Sequence, residues 1–373
     1  MKAWPILGIS VVQIILFLAH WFLYLTWLHF GWPLGPGALS ALRIALIALS
    51  LSFIVAALLS FRFTHPVIAF LYKVAVVWLG FLNFLFVAAC AAWFIELFTF
   101  LIPQVGRNSF RHFLAGFLLV AVVVSALYAL VNARTIRTRH ITVRLPNLPV
   151  AWRGRTALLL TDLHLGNVNG VRFARRIASL ERALKPHIVL ISGDLYDGVK
   201  DKPLALAAPL LELAPPLGAF FVTGNHEVFG RVSRYTDALE GSSIQVLDNR
   251  SVVIDGLHLA GVSYERSTSP IALRTFLESL ALRGDQPSIL LNHVPHRLPI
   301  VAECGISLQL SGHTHSGQMF PFTWFARRAF GPFTYGLSRL GSLQVYTSSG
   351  VGTWGPPMRL GTAPEVVLFT FEQ

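Results

Sequence analysis

Four long apolar stretches precede residue 135, from about Trp4 to Phe30, Ile44 to Phe61, Val74 to Ile95 and Phe113 to Val131. Each approaches the roughly 18–20 residues that cover a hydrocarbon core, so four membrane-spanning helices are predicted. Pro33, Gly35, Pro36 and Gly37 punctuate the first gap, and His65-Pro66 and Pro103 mark the others. After a basic run, Arg134 to Arg144, the period changes. TALLLTDLHLG reads as a buried strand and a loop, and residues 170–185 read as a helix. HIVLISGDLYDG is a second strand and loop, PLALAAPLLELA is helical, and GAFFVTGNHE is a third strand and loop. SILLNHVPH and ISLQLSGHTH repeat the form. Strands alternating with helical segments imply an α/β domain. The chain therefore divides into a four-helix membrane domain (1–133), a basic linker leading into the next domain (134–149) and an α/β domain (150–373).

Composition sharpens the division. Charged residues make up 13% of the chain and hydrophobic ones 54%, against roughly 25% charged in an ordinary soluble protein. Residues 1–140 hold nine Lys/Arg and one acid, Glu96; subtraction from 30 and 18 leaves 21 basic and 17 acidic residues beyond them. The excess of +12 would suit nucleic acid, but it lies along the margins of the apolar stretches, where it reads as membrane orientation. No nucleic-acid partner is expected. If all four spans cross, Lys2, Arg62, Lys73, Arg134, Arg137 and Arg139 share one side, and Arg43, Arg107 and Arg111 the other. That places both termini, and the α/β domain, in the cytoplasm of a multi-pass cell (inner) membrane protein. Trp4, Trp27, Trp32 and Trp93 sit near span ends, where amphipathic rings favour the interface. The first stretch is too long for a signal-peptide core and is read as a retained helix. Gln13, His20 and Asn83 within the spans are read as helix–helix hydrogen-bonding groups. Cys90 and Cys304 are not expected to form a disulfide, and a zinc site built on a cysteine cluster is excluded.

The chemistry sits where strands stop. Five strand ends deliver Asp162 and His164; Asp194; Asn225 and His226; His293; then His313 and His315. Carboxyl ends of strands are where α/β sheets assemble their sites. A pair such as His313 and His315 is weak evidence alone, since i and i+2 side chains point the same way in any extended chain. Five such clusters in order, each after an apolar strand, form the donor set of a mixed nitrogen–oxygen site for two first-row divalent metals.

With D162-L-H164, G193-D194, G224-N225-H226-E227, H293 and G312-H313-T314-H315, the chain resembles the calcineurin-like metallophosphoesterases. The closest likeness is to a membrane-linked bacterial branch that includes membrane-associated UDP-2,3-diacylglucosamine pyrophosphatases. The resemblance covers roughly 150–373 and implies a β-sandwich flanked by helices. Ser316 stands where many relatives have glycine, outside the donor set. By motif, Asp162, His164 and His315 would hold one metal, Asn225, His293 and His313 the other, with Asp194 bridging. The metals implied are two divalent ions: manganese, iron or zinc. The family's reaction is attack on phosphorus by a hydroxide bridging the pair, with His226 protonating the leaving oxygen.

The nearby residues are read more plainly. Asp197 and Tyr196 fit a turn better than a substrate contact. Glu227 is expected to orient a ligand or backbone, His296 to lie on the rim, and His187 and His258 to be structural. Residues 317–336 carry seven aromatic side chains interrupted by Arg327 and Arg328, which fits either a packed loop or a lip at a lipid interface. The expected function is a membrane-anchored metal-dependent phosphoesterase acting on a phosphate-containing, lipid-linked substrate. The pyrophosphatase activity named above and a non-enzymatic scaffold are its alternatives. A transporter or receptor ranks last, because the spans lack paired broken helices.

Overall fold

The computed structural model describes residues 3–373 except 102, 199–201 and 283–285. The chain forms two compact units, Met1–Val131 with Gly355–Met358, and Asn132–Trp354 with Arg359–Gln373.

The first unit is built from α1 (Ala3–Phe30), α2 (Pro36–Arg62), α3 (Pro66–Glu96) and α4 (Gln104–Asn132). All four are long and apolar enough to cross a membrane. The last three begin eight or nine residues earlier than the apolar runs do. Pro36 and Pro66 open helices at the first position, where a missing N–H costs nothing, and His65 Nδ1 caps α3 by accepting from Val67 N at 3.2 Å. The helices expose apolar side chains such as Ile44, Phe70 and Phe117, as lipid-facing helices do. Some of their polar groups bond between helices. Gln13 Nε2 donates to the Ser50 carbonyl at 3.1 Å, and Trp78 Nε1 donates to His20 Nε2 at 2.9 Å. The one acid, Glu96, accepts from Arg111 Nε at 3.1 Å, with His29 Nε2 3.2 Å away. Of the cations that set the expected orientation, Lys2 lies outside the described residues.

The second unit contains two six-stranded sheets. The first runs β1 (Arg137–Arg144), β12 (Glu365–Glu372), β2 (Thr156–Leu160), β3 (Ile188–Ser192), β4 (Ala219–Val222), β5 (Ile244–Val246). The second runs β10 (Gly336–Leu340), β11 (Leu343–Thr347), β9 (Leu308–Ser311), β8 (Ser288–Asn292), β7 (Leu257–Val262), β6 (Arg250–Ile254). Period-2 alternation assigns the faces. Ala157, Leu159, Ile188 and Leu190 meet Leu257, Leu259, Ile289, Leu291 and Leu308 in a core shared by both sheets. Leu158, Leu160, Val189 and Ile191 point the other way, onto Ala174 and Ile177 of α5 (Val171–Leu184). On the second sheet, Ala260 and Leu290 face Leu273 and Phe276 of α6 (Pro270–Ser279). The result is a sandwich with helices on both outer faces.

Two local expectations change. Residues 137–144, expected within the basic linker, form β1 and pair in parallel with the whole of β12. Its charged side chains face out and hide the alternation, while Val143 is buried. The helix expected over 203–214 spans only Pro203–Ala207. Pro209 supplies no N–H to continue the helical hydrogen bonds, so the helix ends there although Ala208 keeps helical dihedrals (φ −42°, ψ −43°).

Candidate metal centre

β2–β3–β4 and β7–β8–β9 run parallel within their sheets, so their carboxyl ends share an edge. Loops after β2, β3 and β4 carry Asp162, His164, Asp194, Asn225 and His226, and those after β8 and β9 carry His293, His313 and His315. The structure brings all eight residues together. Donor atoms of Asp162, His164 and His315 lie within 4.8 Å of one another, as do those of Asp194, His293 and His313, and those of His164, Asp194 and His226. Asn225 joins the second trio: its Oδ1 is 2.9 Å from His313 Nδ1 and 3.2 Å from His293 Nε2. Asp194 Oδ2 stands 3.2 Å from His293 Nε2 and 3.9 Å from His164 Nε2, within reach of both groups.

This convergence needs unusual backbone. Asp162 (φ 54°), His164 (47°), Asp194 (50°), His313 (68°) and His315 (47°) are all left-handed. Such residues cost of order 1–3 kcal/mol each and persist where the surroundings over-determine them. Glycines before the donors allow close approach. At Gly193 (φ +84°) a Cβ would overlap the His293 ring, and at Gly224 it would overlap the Asp194 carboxylate.

Neighbours fix how each donor points. His293 Nδ1 donates to the Ser192 carbonyl at 2.8 Å, which turns Nε2 inward. The main-chain N–H of His313 donates to Asp162 Oδ1 and Oδ2 at 3.0 and 3.1 Å. Glu227 accepts the N–H groups of Asp194, Tyr196 and Gly224 at 3.1, 2.9 and 2.7 Å, tying two donor loops together. Asp197 does more than turn the chain. It is buried, its carbonyl accepts from His226 Nδ1 at 2.9 Å, and its Oδ1 lies 3.6 Å from His164 Nδ1. Fully buried Arg359 donates to the Ser349 and Gly352 carbonyls at 2.7 Å and faces His315 Nδ1 at 3.3 Å. No strand-end cluster marks Arg359 in the sequence; a lone arginine between Met358 and Leu360 was the available signal. His187 accepts from Thr156 N, and half-buried His296 turns Nδ1 toward the Val294 carbonyl at 3.2 Å.

The electrostatics follow from burial against pairing. Burial penalises charge on Asp194, but His293, His226 and His164 outweigh it and hold the carboxyl well below the usual range. Burial likewise opposes charge on His293, and Asp194 reverses this, pushing it up to about 10. Burial, reinforced by His293, pulls His313 down to about 3. Burial and the Asp194 charge raise Glu227 to about 7 against its backbone donors.

The donor set fits divalent cations. The His164 and His315 Nε2 atoms face each other at 3.0 Å, with Asp162 Oδ1 4.0 and 3.5 Å from them. His293 Nδ1 already donates to the Ser192 carbonyl, so meeting the Asn225 and Asp194 oxygens at Nε2 by hydrogen bonds alone demands a doubly protonated ring. A cation satisfies the same lone pairs without those protons.

Residues 156–317 match the family model described as calcineurin-like phosphoesterase. The chain is 33% identical over 285 residues to a transmembrane protein with metallophosphoesterase domain from Danio rerio, covering 72% of this chain and 64% of that one. It thus spans less than two thirds of that relative's length. It is also 33% identical over 264 residues to an uncharacterized metallophosphoesterase of Aquifex aeolicus (strain VF5), covering 68% of this chain and 98% of the relative. A dimetal phosphatase structure from Danio rerio aligns with a TM-score of 0.39 and 14% identity, over 55% of this chain and 90% of that one. That likeness is too low to carry an argument.

Proposed function

The chain belongs to the calcineurin-like metallophosphoesterase family, and we propose that it is a membrane-anchored hydrolase cutting a phosphoester or pyrophosphate bond with two divalent cations. The observation that carries this reading is Asp194, whose one oxygen lies 3.2 Å from His293 and 3.9 Å from His164. Asp162, His164 and His315 would hold one ion, Asn225, His293 and His313 the other, and Asp194 both. Manganese, iron and zinc suit these nitrogen and oxygen donors. When bound, the pair supplies Lewis acidity toward phosphate and lowers the pKa of a water.

The chain's own residues do the rest. Neutral Asn225, and His313 held uncharged by burial, add donors without negative charge, which leaves the site attractive to a phosphate dianion. His226 keeps its Nδ1 proton on the Asp197 carbonyl and presents Nε2 to protonate the leaving oxygen. Exposed Phe229 and Trp354 flank His226, with ring centroids at 5.5 and 6.2 Å. The leaving group would therefore have apolar surface, which, with the four candidate spans, supports a lipid-linked substrate. The cation count favours a cell-membrane protein with this unit in the cytoplasm. A scaffold role is disfavoured because every donor position is filled.

Full-length protein purified with manganese or zinc should hold about two ions per chain by elemental analysis. Retention of fewer than one would overturn the proposal. Equal turnover of soluble and bilayer-embedded phosphoesters would remove the lipid-linked part and leave the hydrolase.

A further inference from the structure

Beyond the metal centre, the second unit exposes scattered aliphatic side chains such as Val150 and Ile271, and one sequence cluster of aromatic ones. Phe320, Phe322, Trp324 and Phe325 are each more than half exposed, at 51, 52, 59 and 54%. Three belong to α7 (Phe322–Phe330, FTWFARRAF), which follows the His313–His315 loop. A helix on a protein surface normally turns its bulky apolar residues inward. This one is inverted: only Thr323, Ala326 and Phe330, spaced three and four apart, are partly covered, and the larger rings face out with Arg327 and Arg328. Among the described residues neither arginine makes an ion pair.

We propose that α7 is an interfacial helix that docks on a bilayer surface, with Phe322, Trp324 and Phe325 at the headgroup–acyl boundary and Arg327 and Arg328 on lipid phosphates. Three observations favour lipid over a protein partner. The exposed face combines aromatic rings with two cations and no acid, which complements an anionic headgroup layer. Trp and Phe are the residues that settle at this boundary. The same chain carries four helices long and apolar enough to cross a membrane, so a bilayer is a surface this protein meets.

The helix is also fastened to the donor loop. Thr314 Oγ1 donates to the Thr334 carbonyl at 2.7 Å, and the Phe330 ring lies 6.2 Å from that of His313. Gly317 packs so closely on Thr323 that a Cβ there would overlap its backbone. Docking would thereby hold the mouth of the site at headgroup depth.

The test is independent of hydrolysis. A fluorophore is placed at Phe325→Cys in a Cys90→Ser/Cys304→Ser background of the full chain, in nanodiscs containing phosphatidylglycerol. Shallow doxyl-lipid quenching at least twofold stronger than iodide quenching is expected, and Arg327→Glu/Arg328→Glu should reverse the preference. Quenching by iodide alone would place the helix in water, and protection from both would mean that protein covers it; either overturns the proposal. Unchanged metal content and elution volume would show that the variants remain folded.

Discussion

The Asp197 main-chain carbonyl accepts the Nδ1 proton of His226 at 2.9 Å, while the Asp197 side chain lies 3.6 Å from His164 Nδ1. One residue of the β3 loop thus orients the proposed leaving-group acid and places a carboxylate beside one proposed metal ligand. His226→Gln should lower kcat by about 10²- to 10⁴-fold, the range for losing a general acid, with metal content unchanged. Single-turnover kinetics beside elemental analysis separates the two effects.

Asp194 stands between the two donor groups, so its loss should be felt by both ions. Asp194→Ala is expected to reduce bound metal to about one ion per chain or fewer and to abolish turnover. Asp162→Ala should affect the ion on its own side more than the other. Metal titration followed by mass spectrometry of the intact protein distinguishes these patterns.

Proton release should accompany loading. In the metal-free protein His293 keeps its proton up to about pH 10, and a cation requires the neutral ring. Binding at pH 7 therefore expels this proton, and apparent affinity should rise about tenfold per pH unit until the pH passes that value. Calorimetry in buffers of different ionisation enthalpy counts the protons; an affinity independent of pH would contradict the His293–Asp194 pairing.

Glu227 is buried and satisfies three main-chain donors. Glu227→Ala leaves those N–H groups without partners, at roughly 1–3 kcal/mol each at the upper bound. A loss of stability of about 3 kcal/mol is expected in urea denaturation of metal-free protein, with partial recovery in Glu227→Gln.

Local pattern carried much of this protein. Runs of apolar residues long enough for a bilayer, and polar clusters directly after TALLL, HIVLIS, GAFFV, SILL and ISLQL, are written within short windows, because side-chain polarity alone decides which solvent a segment tolerates. β1 was not visible, since a strand whose outer face carries arginine and histidine has the composition of a linker and becomes a strand only by pairing with β12, more than 200 residues away. Asp197 read as a turn former because Asp-Gly makes turns wherever it occurs; its contact with His164 depends on another loop.

The sequence determined which donors exist and that each follows a strand, since covalent order and hydropathy are properties of neighbours. Only the tertiary structure decided that β8 and β9 belong to a different sheet from β2, β3 and β4, and that their ends meet. It also decided that Arg359 reaches His315 and that the rings of α7 face outward. These are outcomes of long-range packing: two apolar sheet faces close on one core, and the positions of the loops at their shared edge follow from that closure.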